Sequence, residues 1–311
     1  MTDVLLVSLG STGGWQVADA ELGASLERAG ASVEMVTAEP QRDVRTYALT
    51  DLQWARAARA AAQRGIAEHG PRAIVYSTTT AALLWPRPGA IRYDTFARDS
   101  RPGRHGIWQR PVERRRLAQA PLLVPMTPDQ PGVVVRIPVE PSGEPAAERN
   151  IAAVAYAPDP VKRRLDLLLA AWAAARRDGE ELVVTGVGAP PREGVRFTGR
   201  VAADEFRALL RRARLFVAAP AREDYGIAPL EALADGCMLV TTPAAGPYPA
   251  LAITRALDPR LVTDELAAGI RAALDEPLVD YSARATEALA AFRRAAVDTV
   301  VAEELLPRLL G

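Results

Sequence analysis

The stretch "REDYGIAPLEALADGCMLVTTPAAG", Arg222 to Gly246, decides the fold. Two glutamates, Glu223 and Glu231, bracket seven residues that include a glycine and a proline. Upstream lies "LFVAA" (Leu215 to Ala219) and downstream "MLVTT" (Met238 to Thr242). Both are short, nearly continuous apolar runs, as expected of strands buried on both faces. Between them, Pro229 suits a first helical turn, where its missing N–H is no loss. Gly236 suits the position just past a helix end. The segment therefore reads strand, loop, helix, strand, with Glu223 in the loop and Glu231 in the first turns of the helix.

The same alternation extends in both directions. Strands are expected at Val4 to Leu9, Ser32 to Thr37, Ala73 to Ser77, Ala90 to Asp94 and Leu122 to Met126, with helices near Trp15 to Arg28 and Thr50 to Glu68. The segment Thr127 to Asn150, rich in Pro and Gly, reads as a linker carrying one short strand, "VVVRI". The pattern then restarts with strands at Ile151 to Tyr156, "ELVVTG" and "VRFTG", and helices near Val161 to Arg177 and Ala203 to Arg212. From Thr263 onward the pattern is almost wholly helical. Strands alternating with helices imply parallel sheets covered on both faces. The expectation is an α/β chain of two doubly wound, Rossmann-like domains with the ligand cleft between them. Their expected bounds are 1–145 and 146–285, with helices at 286–311 packing back toward the first domain.

Composition narrows the function. A formal net charge of zero over 311 residues argues against a general nucleic-acid binder, which needs a basic excess. The single cysteine, Cys237, and two histidines, His69 and His105, exclude an intrachain disulfide and a Cys or His metal cluster. No apolar run reaches the ~20 residues that span a bilayer, and the N-terminus lacks a signal-peptide pattern. A cytoplasmic location is expected, with the inner face of the membrane as the alternative. Of 38 basic residues only Lys162 is a lysine, and the Ala, Arg and Pro richness fits a GC-rich bacterial genome.

Two segments carry candidate chemistry. "GSTGGW" (Gly10 to Trp15) joins a strand to a helix, so Gly13 and Gly14 could admit a ligand close to backbone at a helix N-terminus. Gln16 stands where a dinucleotide fingerprint has its third glycine, and a plain tight turn accounts for the segment equally well. In the opening stretch, the amides around Gly226 and Ile227 favour phosphate, while Glu223 and Glu231 can accept hydrogen bonds from hydroxyls. A nucleotide-sugar satisfies all of these groups. Solvated acids at a helix start are the competing reading.

The wider pattern resembles the family-4 retaining glycosyltransferases of the GT-B fold. Their Glu-x7-Glu signature matches Glu223-Asp224-Tyr225-Gly226-Ile227-Ala228-Pro229-Leu230-Glu231, continued by Ala232-Leu233-Ala234-Asp235-Gly236. "RNIAAVAYAPDPVKRRLDLLLAAW" and "VRFTGRVAADEFRALLRRARLFVAAP" resemble the segments that precede that signature. The resemblance implies that Glu231 holds the ribose hydroxyls and Glu223 the donor sugar. It implies that Gly226 and Ile227 face phosphate or sugar, and that Phe197 to Gly199 line the base pocket. Lys162 or Arg163 would meet the diphosphate. Three positions depart from the family: Ala155-Tyr156 replaces a Gly-Arg, Tyr93-Asp94 replaces a His-Asp, and "AAGPYPAL" keeps Gly246 without the usual glutamate.

The implied activity is retaining transfer from a nucleoside-diphosphate sugar, without metal or other cofactor, to a glycan, lipid-linked or small-molecule acceptor. The basic run Arg101 to Gln119 would suit an anionic acceptor or peripheral membrane contact, although such runs are more often solvated helix faces. His105 reads as a loop residue. Two other classes stay open: a nucleotide-sugar-binding protein without catalysis, and a nicotinamide-dependent oxidoreductase built on "GSTGG". The second is disfavoured by the broken fingerprint and by the absence of a Tyr-x-x-x-Lys.

Overall fold

Two parallel sheets of five strands each organise the chain, and the computed structural model describes residues 2–42, 44, 46–144, 146 and 148–311. The chain divides into two units, Met1–Pro138 with Arg294–Gly311, and Val139–Arg293.

In the first unit the elements are β1 (Val4–Ser8), α1 (Gly13–Arg28), β2 (Val33–Thr37), α2 (Tyr47–His69), β3 (Ala73–Tyr76) and α3 (Thr79–Ala82). They continue as β4 (Ala90–Tyr93), α4 (Ala97–Ser100), α5 (Gln109–Gln119) and β5 (Leu123–Pro125). The strands lie in the order β2-β1-β3-β4-β5. Alternate residues feed opposite faces: Val4, Leu6, Val75 and Val124 enter one core, and Leu5, Val7, Ile74, Tyr76 and Ile91 the other. Burial of both faces is why β1 and β3 read as continuous apolar runs, whereas the edge strand β2 is largely exposed and interrupts its run with Glu34.

"VVVRI" is not a strand of this sheet. Val133 and Val135 donate their amides to the carbonyls of Leu123 and Pro125 at 3.0 and 2.9 Å, so the segment runs beside β5. Pro125 has no N–H to return, and the ladder stops at one-sided bonds.

The second unit holds β6 (Ile151–Tyr156), α6 (Leu165–Ala175), β7 (Leu182–Thr185), β8 (Val195–Gly199), α7 (Ala203–Arg212), β9 (Ala213–Ala218) and α8 (Ile227–Ala234). β10 (Met238–Thr241), α9 (Pro249–Leu257), α10 (Leu266–Asp275) and α11 (Tyr281–Ala288) complete it. The strand order is β10-β9-β6-β7-β8. The chain then returns to the first unit as α12 (Arg294–Val300) and α13 (Leu306–Leu310), where Val297, Val301 and Leu305 join the core of Val4 and Leu6. No helix among the described residues is long and apolar enough to cross a membrane.

The helix expected from Val161 begins four residues later, at Leu165. Arg164 takes a left-handed conformation (φ 44°), which an α-helix cannot contain. Lys162 and Arg163 thus belong to the loop between β6 and α6.

Candidate functional site

The strand order of the second sheet sets β6 beside β9 at its centre, and the connections leaving them turn to opposite sides. Such a reversal opens a crevice at the carboxyl ends of the two strands. Two loops border it: Ala157 to Arg164 after β6, and Ala219 to Gly226 after β9.

The first loop is shaped by Asp159, whose carboxylate accepts from the amides of Val161 and Lys162 at 3.1 and 3.0 Å. Its end is tied to the second loop by Arg164, which donates to the carbonyl of Ala219 and to the Thr242 hydroxyl, both at 2.7 Å. These bonds account for the left-handed backbone of Arg164, a conformation that costs a non-glycine residue about 1 kcal/mol or more. Held this way, the Arg163 guanidinium pairs with the Glu223 carboxylate. The side chains of Arg163 and Glu223 are 29% and 11% exposed. Lys162 is 73% exposed, with Asp159 at 3.9 Å. Of the two adjacent cations, the structure brings Arg163 to Glu223 and leaves Lys162 in solvent.

Glu223 is fixed from behind. Its amide donates to the carbonyl of Ala245 at 2.9 Å, next to Gly246 (φ 105°). A Cβ on Gly246 would lie 2.3 Å from the Glu223 carbonyl oxygen, so only glycine fits there. Gly226 (φ 78°) closes the loop against the Glu223 side chain and the Tyr248 ring. Tyr248 is buried with its hydroxyl 3.3 Å from that of Thr241, and burial pushes its phenol up to about 12, so it stays neutral. No side chain caps α8 after Gly226, which leaves the first-turn amides, Ile227 included, as donors at the positive end of the helix.

Glu231 lies in α8, where its carboxylate meets Arg207 Nη1 of α7 at 3.4 Å. Burial lifts the Glu231 carboxyl above the usual carboxylate range, Arg207 opposes that shift, and the nearby Asp235 adds to it. Phe197 and Gly199 lie at the carboxyl end of the edge strand β8, with Gly199 in a positive-φ conformation (70°). At the end of β6, where the resembling family has arginine, Tyr156 is partly exposed and its ring rests 5.4 Å from that of Phe206.

Gly13 and Gly14 open α1 in the first unit, where the Thr12 side chain caps the helix by accepting from the Trp15 amide. Gln16 donates to the Gly10 carbonyl at 3.1 Å, closing the turn with a side chain. In the basic run, Arg101 pairs with Asp51 at 2.8 Å, Arg110 donates to the Gly106 carbonyl, and Arg116 donates to the Leu83 carbonyl. These arginines hold local structure. His105 sits against the Tyr47 ring, with centroids 5.4 Å apart.

Sequence reasoning missed Arg164, Arg207 and Tyr248. Glu231 and Asp235 stand four apart, which places them on one helix face, but nothing in "EFRALLRR" singles out the arginine that meets them.

Residues 148–276 match the family model described as Glycosyl transferases group 1. No curated protein matches the chain in sequence. Among solved structures, sucrose-phosphate synthase from Thermosynechococcus elongatus superposes with a TM-score of 0.73 at 15% identity, covering 96% of each chain. Anabaena Alr3699/HepE in complex with UDP and glucose gives 0.67 at 14% identity over 98% of this chain and 99% of that one. WaaG, a glycosyltransferase involved in lipopolysaccharide biosynthesis, gives 0.63 at 14% identity over 96% and 99%. The chain therefore has the α/β architecture of the GT-B glycosyltransferases and resembles them along nearly its whole length.

Proposed function

We propose that the protein is a retaining glycosyltransferase that moves a sugar from a nucleoside-diphosphate donor to an acceptor hydroxyl. The observation that carries this reading is the Arg163–Glu223 pair at the β6/β9 crevice, beside the uncapped start of α8. A cation, a row of amides and a carboxylate converge there on a space bordered by backbone. That set matches a diphosphate next to a sugar. The group 1 match over residues 148–276, which contains all of these residues, supports the reading.

In this proposal the bond between the sugar's anomeric carbon and the diphosphate breaks while a bond to the acceptor oxygen forms on the same face. The acceptor's proton passes to the departing phosphate oxygen. Negative charge builds on the diphosphate, and Arg163 with the amides of Gly226 and Ile227 stabilises it. Glu223 accepts from sugar hydroxyls once the donor enters, and Glu231 accepts from the ribose hydroxyls. Phe197 and Gly199 border the base. Cation and helix terminus meet the diphosphate charge, so the proposal assigns no role to a metal.

The test is a thermal-shift series with UDP, GDP, ADP, dTDP and NADP⁺ on the wild type and on Glu231→Ala. A ligand that binds only the folded state raises the melting temperature by mass action. UDP is tried first because the solved HepE complexes contain it. A shift with one nucleoside diphosphate, reduced in the variant, is the expected result. A shift with NADP⁺ alone would replace this reading with a nicotinamide enzyme. Binding of a nucleotide-sugar without turnover on any acceptor would instead identify a binding protein.

A further inference from the structure

We infer that Arg207 is a positioning residue for Glu231, and that through it the buried carboxylate of Asp235 sets the site's preference for a ribose over a deoxyribose. The inference rests on the ribose role proposed for Glu231.

The geometry forms a chain of charge-assisted contacts running inward from the crevice. Glu231 Oε1 faces Arg207 Nη1 at 3.4 Å. The rest of the guanidinium is turned away from Glu231 and fully engaged. Nε and Nη2 donate to the two oxygens of Asp235 at 2.6 and 2.9 Å, and Nη2 also donates to the Glu140 carbonyl at 2.7 Å. Asp235 has no exposed side-chain surface and is itself held by the amide and hydroxyl of Ser142, at 2.8 and 3.0 Å. A guanidinium gripped along one edge cannot rotate to follow Glu231, so Glu231 must come to it.

The grades of contact assign the roles. The short, two-point bond to Asp235 anchors Arg207, while the longer single contact to Glu231 orients without saturating. One Glu231 oxygen is directed toward Arg207, which leaves the other free to accept from a ribose hydroxyl. Without Arg207, Glu231 would be a partly buried carboxylate next to a second carboxylate, with burial and repulsion both favouring its neutral form. A protonated, unoriented Glu231 is a poor acceptor for a sugar hydroxyl.

The test compares a ribonucleoside diphosphate with its 2′-deoxy counterpart, using UDP and 2′-deoxy-UDP or the corresponding pair for whichever base binds. Affinities are measured by calorimetry for the wild type, Arg207→Gln and Arg207→Lys, with melting temperatures in parallel. The wild type is expected to prefer the ribo form by about tenfold or more, the value of a hydrogen bond to a charged group. In Arg207→Gln the preference collapses to within about twofold, and Arg207→Lys, which keeps the charge but loses the two-point grip, falls between them. A merely structural role would weaken both ligands equally. An unchanged ratio in both variants overturns the inference while leaving the ribose role of Glu231 intact. A wild type without any ribo preference overturns the ribose role itself, and the inference with it. If Arg207→Gln does not fold, the ratio in Arg207→Lys decides alone.

Discussion

Arg163 and Glu223, sixty residues apart in sequence, form an ion pair across the carboxyl ends of adjacent strands β6 and β9, whereas the exposed Lys162 ammonium lies 3.9 Å from Asp159. The pair holds the Arg163 guanidinium where the proposed reaction accumulates negative charge, and Glu223 turns to the sugar hydroxyls once the donor enters. Arg163→Ala is therefore expected to lower kcat/KM for the nucleotide-sugar by about 10²–10³, the usual cost of losing one stabilising donor. Lys162→Ala is expected to stay within about threefold, since an exposed, weakly paired cation contributes little. Steady-state kinetics of the two variants decide the matter, and the opposite ranking would make Lys162 the phosphate cation.

Gly246 holds the Glu223 loop by being small. Gly246→Ala forces a Cβ against the Glu223 carbonyl from a backbone at φ 105°, so the loop must move. The expected cost is about 1–3 kcal/mol of stability, with donor affinity falling as well because Glu223 is displaced. Gly23→Ala provides the contrast: it lies inside α1 with nothing within 4 Å of an added Cβ. That substitution is expected to stabilise by about 0.5–1 kcal/mol. Chemical denaturation of both variants measures the signs, and a stable Gly246→Ala would show that the loop is free to shift.

Periodicity made the inner strands legible because they are buried on both faces, whereas the edge strands β2 and β8 are partly exposed and carry Glu34 and Arg196. The expected bounds of β6 and α7, Ile151 to Tyr156 and Ala203 to Arg212, are the observed ones. Errors arose where one residue overrode the pattern. Pro125 withholds the N–H that would make "VVVRI" a strand, and Arg164 takes a conformation normally left to glycine, delaying α6 by four residues. In the site, the two glutamates and their loop-and-helix setting were readable from Gly226, Pro229 and Gly236. The partners were not. Choosing Arg163 over Lys162 required the fold of a loop, and finding Arg207 required knowing which face of α7 meets α8.

A second buried pair tests what holds the first unit together beneath its glycine loop. Arg92 of β4 and Asp19 of α1 are each 1% exposed, with Nη1 to Oδ1 at 3.4 Å, and Asp19 also accepts from Ser8 at 2.6 Å. Burial lifts the Asp19 carboxyl, and Arg92 opposes that shift. Arg92→Met removes the compensating charge and is expected to cost about 3–5 kcal/mol. Arg92→Met with Asp19→Asn should recover much of the loss, because no unpaired buried charge remains. Urea unfolding of the single and double variants gives the coupling directly. Simple additivity would mean that the two side chains do not act as a pair.

Asp298 gives the stability of the first unit an acid limit. The residue lies in α12 and accepts from Arg28 of α1 at 2.7 and 2.8 Å and from the Ser25 hydroxyl at 2.6 Å. The hydrogen bonds from Arg28, more than those from Ser25, hold its carboxyl below the ordinary aspartate range. A carboxyl whose folded pKa is depressed contributes stability that is present above its unfolded pKa, near 4, and is lost as pH falls through the folded value. Asp298→Asn is therefore expected to be less stable than the wild type by about 0.5–1 kcal/mol at pH 7, a figure kept small by the partial exposure of both partners. The gap should close progressively below about pH 4. Melting curves from pH 7 to pH 2.5 follow it, and a gap that stays constant or widens on acidification would show that the ionised carboxylate is not what ties α12 to α1.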